Sequence, residues 1–261
     1  MSAILLNGGI IHYEVIGRGR PIIFIHGWVG SWRYWIPALQ NSSVGFRSYA
    51  VDLWGFGDSA RDIGNYDLDK QIELIDRFLL EMGIGKVALV GHGLGALISI
   101  LFTARAPQIV DRVMAISCPM EFNAVSTRLR TGDPADLSEW LLAKSPAHDP
   151  AREDAMKSDS LAIVSSFSSP DLMNVTNRLF GGTTPTLLVY GQNDPATTVP
   201  TLDPLTMPEY THSIVLEGAG HFPMLDDTAR FNRLLTDWTA LESGESPRDL
   251  QLKEEWRRRV R

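Results

Sequence analysis

The residues that most invite a chemical reading lie in the segment KVALVGHGLGALISILFTA, residues 86–104, centred on Gly91-His92-Gly93-Leu94-Gly95. A G-x-Nuc-x-G turn puts small residues two before and two after a nucleophile. Strand and helix can then close tightly around a strained side chain that attacks an electrophile. Here the central position is Gly93, which has no side chain. The pattern outlines a site for covalent catalysis and omits the atom that would attack. Cys118, Asp194 and His221, of types that attack carbon or move protons, stand elsewhere in the chain. Whether any of them reaches Gly93 depends on the elements that carry them.

Residues 3–16 predict two short strands joined across Asn7-Gly8-Gly9, a strong hairpin signal. Residues 22–25, Ile-Ile-Phe-Ile, are apolar without alternation, as expected of a strand covered on both faces, and lead into His26-Gly27-Trp28. A helix is expected over 31–40. A strand over 46–51 runs into Asp52-Leu53-Trp54-Gly55-Phe56-Gly57-Asp58-Ser59. Residues 67–82 predict an amphipathic helix with Asp67 as N-cap, a stripe of Ile72, Ile75, Leu79 and Met82, and Gly83 as its stop. After the strand and helix of 86–104 come a buried strand over 112–117, strands over 184–190 and 213–216, and an amphipathic helix over about 226–241. Strands alternating with helices imply a mostly parallel sheet with helices on both faces. Residues 121–181 break that rhythm: they are polar, carry Pro134, Pro146, Pro150 and Pro170, and predict short helices such as 134–144. They are expected to form a cap inserted into a core of residues 1–120 and 182–242, with 243–261 a polar tail ending RRRVR.

At 261 residues, with 44% hydrophobic and 21% charged, the chain is expected to be one soluble α/β domain with an insertion. A formal charge of -7 argues against nucleic acid as a partner. Cys118 is the only cysteine, so no internal disulfide is possible and a reducing compartment is compatible. No apolar run reaches spanning length, and MSAILLNGGIIHYEV lacks a basic region followed by a long apolar core, which makes the cytoplasm the expected location. No metal or cofactor is called for.

These pieces resemble the α/β-hydrolase superfamily over nearly the whole chain. The matching motifs are His26-Gly27-Trp28, Asp52-x-x-Gly55-x-Gly57-x-Ser59, the elbow, Gly191-Gln192-Asn193-Asp194 and Gly218-x-Gly220-His221, in the superfamily's order. The resemblance implies a mostly parallel sheet flanked by helices, with a helical cap, and a triad in the order nucleophile, acid, histidine at strand ends. It makes residue 93 the nucleophile position, Asp194 the acid and His221 the base: a carboxylate fixes the imidazole tautomer while the imidazole takes a proton. It also makes the backbone N–H groups of Trp28 and Leu94 an oxyanion hole, which survives loss of the side chain at 93. The blander alternatives are that Asp194-Pro195 starts a turn and that His26-Gly27 only tightens one. Trp28, Trp54, Met120, Phe122 and Phe222 would line a site for a partly apolar small molecule, with core packing as the competing reading. His92 is read as structural and the 52–59 run as a brace.

The central elbow residue normally holds a positive φ, which costs a non-glycine residue about 1–3 kcal/mol and glycine little. Deleting a serine nucleophile costs about 10⁶ in kcat in a well-studied protease, near 8 kcal/mol, and leaves roughly 10³–10⁴ over water. Three readings follow: a non-hydrolytic member that binds a small molecule or partner, a His221–Asp194 dyad acting without a covalent step as lyase, oxygenase or hydrolase, and a Ser-to-Gly variant of a working esterase. Superfamily members that open epoxides use cap tyrosines, and residues 121–181 have none; dehalogenases commonly place Trp where Leu94 stands. An ester hydrolase ancestry is favoured. Cys118 is a weaker candidate for a substitute nucleophile. The terminal Arg257-Arg258-Arg259 beside Trp256 is either a contact for an anionic surface or a solvated tail.

Overall fold

The computed structural model describes residues 2–169, 172, 174–202 and 207–252. The chain opens with the hairpin β1 (Ser2–Leu6) and β2 (Gly9–Ile16). Its turn residues Asn7 and Gly8 both have positive φ, 47° and 82°, which matches the right-handed twist of the flanking strands. β3 (Arg20–Ile25) follows, and then a 3-10 turn, Trp32–Trp35, leads into α1 (Ile36–Ser42). The single helix expected over 31–40 is thus divided, with Pro37 in the first turn of α1. β4 (Phe46–Val51) and α2 (Leu68–Glu81) come next, the Asp67 carboxylate capping α2 by accepting from the Lys70 N–H. Ile72, Ile75, Phe78 and Leu79 of α2 are buried, each contributing about 1.5–3 kcal/mol of apolar transfer.

β5 (Val87–His92) and α3 (Leu94–Arg105) flank Gly93, and β6 (Val110–Ile116) completes the first half of the sheet. α3 is buried from Leu94 through Thr103, held between the sheet and its neighbouring helices, which explains why its apolar residues show no single stripe. The 121–181 segment carries α4 (Pro134–Leu141), α5 (Asp149–Ala155), α6 (Ser160–Ser166) and α7 (Val175–Phe180), and α7 packs against α3. β7 (Thr186–Gly191) and β8 (Thr211–Leu216) resume the core, followed by α8 (Pro223–Asp226) and α9 (Thr228–Thr239). The helix expected over 226–241 breaks at Asp227, whose side chain caps α9 through the Arg230 N–H. The following segment does not leave the fold at once: a 3-10 turn over Pro247–Leu252 buries Leu250, and Arg248 donates to the carbonyls of Met207 and Pro208. Arg257-Arg258-Arg259 lie outside the described residues.

Among the described residues the strands form one eight-stranded sheet in the order β1-β2-β4-β3-β5-β6-β7-β8, antiparallel at β1 and β2 and parallel from β4 onward. β3 and β5 are neighbours with Ile25 opposite Gly91, while β4 lies on the other side of β3. The order reverses there, and the segments leaving β3, β5, β6 and β7 emerge at the same sheet edge, the usual place for a site in an open α/β sheet. Among the described residues no helix is long and apolar enough to cross a membrane.

Candidate active site

The elbow is set by glycines that nothing larger could replace. A Cβ on Gly91 would collide with the carbonyl of Gly95, and one on Gly95 would collide with the carbonyl of Ile25. Strand and helix are pressed together, and Gly93 between them takes φ 51° and ψ −107°. Its N–H donates to the Ile116 carbonyl at 2.8 Å. The loop leaving β3 lies alongside, with Gly27 Cα 3.6 Å from where a Gly93 Cβ would stand. The same Cβ would lie 2.9 Å from Cε3 and 2.9 Å from Cζ3 of Trp28, closer than Cβ contacts ordinarily come. The Trp28 indole therefore rests on the face of Gly93. Its Nε1–H donates to Ser166 Oγ at 2.9 Å, and the ring stacks on Phe167 with centroids 5.1 Å apart.

β7 and β8 position the carboxylate and the imidazole. A Cβ on Gly191 would collide with the Gly220 carbonyl, so the loops after the two strands run in contact, tied further by the Asn193 N–H donating to the Ala219 carbonyl at 2.8 Å. That contact sets Asp194 beside His221. His221 Nδ1 lies 3.0 and 2.9 Å from the two Asp194 oxygens, and both side chains are buried. Asp194 Oδ1 also accepts from the N–H groups of Ala196 at 2.8 Å and Thr197 at 3.1 Å. Burial works to raise the Asp194 pKa. The neighbouring His221 and the two amides outweigh it and hold the carboxyl below its ordinary range. A carboxylate only accepts, so His221 Nδ1 carries the hydrogen, and in the neutral ring Nε2 keeps its lone pair. Among the described residues Nε2 has no protein hydrogen-bond partner.

A buried chain of polar groups joins the two halves of the site. The Gly27 N–H donates to Tyr34 Oη at 2.6 Å, and Tyr34 Oη lies 3.0 Å from His92 Nδ1. His92 Nε2 lies 2.8 Å from the His221 carbonyl, which also accepts from Ser117 Oγ at 3.1 Å. A carbonyl can only accept, so His92 is protonated on Nε2, and the Tyr34 hydroxyl donates to Nδ1 while accepting from Gly27. Burial pushes the His92 pKa well below its ordinary value and the Tyr34 pKa well above, so both are neutral, as this pattern needs. Ser117 holds φ 48°, a strained value for a non-glycine residue, at the end of β6. Sequence reasoning missed Tyr34 and Ser117. Tyr34 reads as one aromatic in a helical stretch, and Ser117 as the last residue of a strand.

The other expected residues are distributed unevenly. Leu94 opens α3, so its N–H has no acceptor inside the helix, and Trp28 follows Gly27 in the adjoining loop. Phe222 packs on His92 and His221, with centroids at 4.7 and 5.3 Å. Met120 is buried where its carbonyl accepts from Thr176 Oγ1, and Phe122 lies under the Arg130 guanidinium at 4.5 Å. The Trp54 ring lies against Gly9, and its backbone is held by Gln71. Cys118 is fully buried and its thiol is pushed far up by burial, so it supplies no thiolate near neutrality. His26 is internal bracing: Nδ1–H donates to the Gly27 carbonyl at 2.8 Å, and Nε2 accepts from the Leu53 N–H at 3.0 Å. The 52–59 run is a brace as well, with Asp52 accepting from the Trp32 and Asp58 N–H groups and bonded to His12. His12, Asp52 and Asp58 come within 4.8 Å of one another, but those bonds already occupy the Asp52 oxygens.

Residues 20–162 match the α/β hydrolase fold family. A soluble epoxide hydrolase of Corynebacterium sp. is 30% identical over 115 residues, 43% of this chain and 39% of that protein. A pimeloyl-[acyl-carrier protein] methyl ester esterase of Aliivibrio salmonicida is 29% identical over 114 residues, 44% of this chain and 42% of that protein. The chain thus spans about two fifths of the length of these curated relatives. Two solved structures share the fold at low identity. N-acyl homoserine lactonase AidH complexed with N-butanoyl homoserine superposes with a TM-score of 0.81 at 21% identity over 92% of this chain and 98% of that one. A hydrolase from Pseudomonas aeruginosa gives 0.80 at 16%, over the same 92% and 98%.

Proposed function

The chain belongs to the α/β hydrolase fold family, and from that premise we propose that it keeps the base and the carbonyl-polarising amides of an ester hydrolase without a covalent step at residue 93. The observation that carries this reading is the Asp194–His221 pair, buried, doubly hydrogen-bonded and complete, beside an elbow whose central residue is glycine. In this scheme the amides of Trp28 and Leu94 receive the carbonyl oxygen of a small, partly apolar ester. Water bonds to the carbonyl carbon as its proton passes to His221 Nε2, and Asp194 stabilises the resulting imidazolium. The tetrahedral adduct then breaks its bond to the leaving alcohol, which takes the proton back from His221. Without a nucleophile the barrier lowering is about 8 kcal/mol smaller than in a serine enzyme, so turnover is slow. Although epoxide hydrolases stand among the relatives, residues 121–181 contain no tyrosine and residue 93 offers no carboxylate, which favours an ester over an epoxide.

A second reading, ligand binding without turnover, is favoured by the Trp28 ring against Gly93, because the ring occupies part of the space where an acyl group would approach a nucleophile. Hydrolysis of short p-nitrophenyl esters separates the two. On the first reading steady turnover drops sharply in His221→Ala. A rate unchanged by that substitution rejects it, and saturable binding of the ester without product supports the second.

A further inference from the structure

Away from Gly93, another serine, histidine and aspartate stand in hydrogen-bonding sequence. Ser145 Oγ lies 2.8 Å from His148 Nδ1, and His148 Nε2 lies 2.9 Å from Asp226 Oδ1. The proton positions follow from what each partner can do. A carboxylate oxygen only accepts, so His148 Nε2 carries the hydrogen, and in the neutral ring Nδ1 holds the lone pair that accepts from the Ser145 hydroxyl. Asp226 is fixed in turn, its Oδ2 accepting from the Gly220 N–H at 2.7 Å. The imidazole in the middle is buried while both ends reach solvent: the His148 side chain is 3% exposed, Asp226 22%, and Ser145 is partly exposed.

Ser145 and His148 share one tight turn, in which the His148 N–H donates to the Ser145 carbonyl at 2.9 Å, and local geometry alone brings those two together. Local geometry does not supply the carboxylate. Asp226 ends α8, on the far side of a β-strand pair in the chain, and reaches His148 across the seam between the inserted segment and the core. Hydroxyl, imidazole and carboxylate in this series are what activates a serine, whatever the fold that carries them.

We propose that Ser145, His148 and Asp226 form a second nucleophilic site, at which Ser145 is modified by small activated acyl donors such as aryl esters. Ser145 Oγ bonds to the carbonyl carbon as its proton passes to His148 Nδ1, with Asp226 stabilising the imidazolium. The adduct collapses by breaking the bond to the leaving phenol, which takes that proton and leaves an acyl-Ser145 ester. The Ser145 N–H is already committed to the Ala143 carbonyl at 2.9 Å, so it cannot serve the developing oxyanion. The substrate must therefore bring a good leaving group, and the acyl-serine is expected to hydrolyse slowly. This site is independent of the reading given for His221.

A fluorophosphonate probe tests it, because the reagent bonds covalently to activated serines. Incubated with the full chain and mapped by peptide mass spectrometry, it should leave one adduct, on Ser145, absent in Ser145→Ala. Labelling should slow about 10²-fold in His148→Gln and in Asp226→Asn, the scale of a lost general base, and persist in His221→Ala. If Asp226→Asn fails to fold, His148→Gln decides, since it leaves the bond between Asp226 and Gly220 in place. No adduct, an adduct at another residue, or labelling as fast in a folded His148→Gln overturns the proposal.

Discussion

Restoring a serine at residue 93 should cost more in this chain than the backbone strain alone. At φ 51° and ψ −107° a non-glycine residue carries about 1–3 kcal/mol of strain. The new Cβ also meets two Trp28 ring carbons at 2.9 Å, and the ring cannot retreat freely, because Nε1 is bonded to Ser166 and the indole is stacked on Phe167. Displacing it forfeits a buried hydrogen bond of about 0.5–1.5 kcal/mol. Gly93→Ser should therefore lower stability by about 2–4 kcal/mol, above the roughly 1–3 kcal/mol of backbone strain by itself. Trp28→Phe separates the contributions, since a phenyl ring is smaller than the indole and is not tied to Ser166, so it can give way to a new Cβ, while the backbone N–H of residue 28 is kept. In a double-mutant cycle by urea unfolding, Gly93→Ser should cost about 1–2 kcal/mol less in the Trp28→Phe background. Hydrolysis of p-nitrophenyl acetate should rise in the double variant above either single one. Equal costs in the two backgrounds, within about 0.5 kcal/mol, would show that Trp28 does not press on residue 93 and would refute the packing argument.

Two further perturbations bear on the frame around the site. Tyr34→Phe leaves the Gly27 N–H and His92 Nδ1 without the hydroxyl that joins them in the interior, so unfolding should become easier by about 1–3 kcal/mol; a change under about 0.5 kcal/mol in urea midpoint analysis would remove Tyr34 from that role. His212 in β8 is held down to about 4 by burial and by Arg248 nearby. The unfolded chain binds this proton below pH ~6.5 and the folded chain only near 4. The contribution is therefore complete above 6.5 and is lost as pH falls toward 4, by up to about 3 kcal/mol. His212→Gln should flatten the stability curve between those values, and identical curves for the two proteins would contradict the assignment.

How far the sequence foretold this molecule depends on the distance over which each feature is determined. β4 over residues 46–51 and α2 with its Asp67 cap were legible because the deciding groups sit within a few residues of one another. The approach of Asp194 to His221 was legible for a different reason: the order of motifs along the chain implied a parallel sheet, and such a sheet delivers its strand ends to one edge. Trp28 was legible only in part. Its N–H belongs to a short motif, but its ring is placed by Ser166, 138 residues away, and by Phe167, and no periodicity reports such a pairing. The break at Asp227 and the burial of Leu250 were missed because both answer to tertiary packing that leaves no mark on the local pattern.

The glycine at 93 and the seating of the inserted segment are one packing problem. Trp28 leaves the end of β3, lays its ring on Gly93 and bonds to the last residue of α6, so a single side chain spans the elbow, the loop after β3 and the insert. Two ion pairs of that region are of a different kind. Arg33 to Asp154 at 2.9 Å and Lys157 to Asp58 at 2.9 Å involve cations more than a third exposed, and such pairs contribute about 0–1 kcal/mol and weaken with salt. The indole contact is apolar, fully buried and insensitive to ionic strength. A side chain at residue 93 would drive the ring outward and loosen this attachment of the insert. Glycine at that position has no Cβ, and the space this leaves holds the ring that fastens the insert to the core.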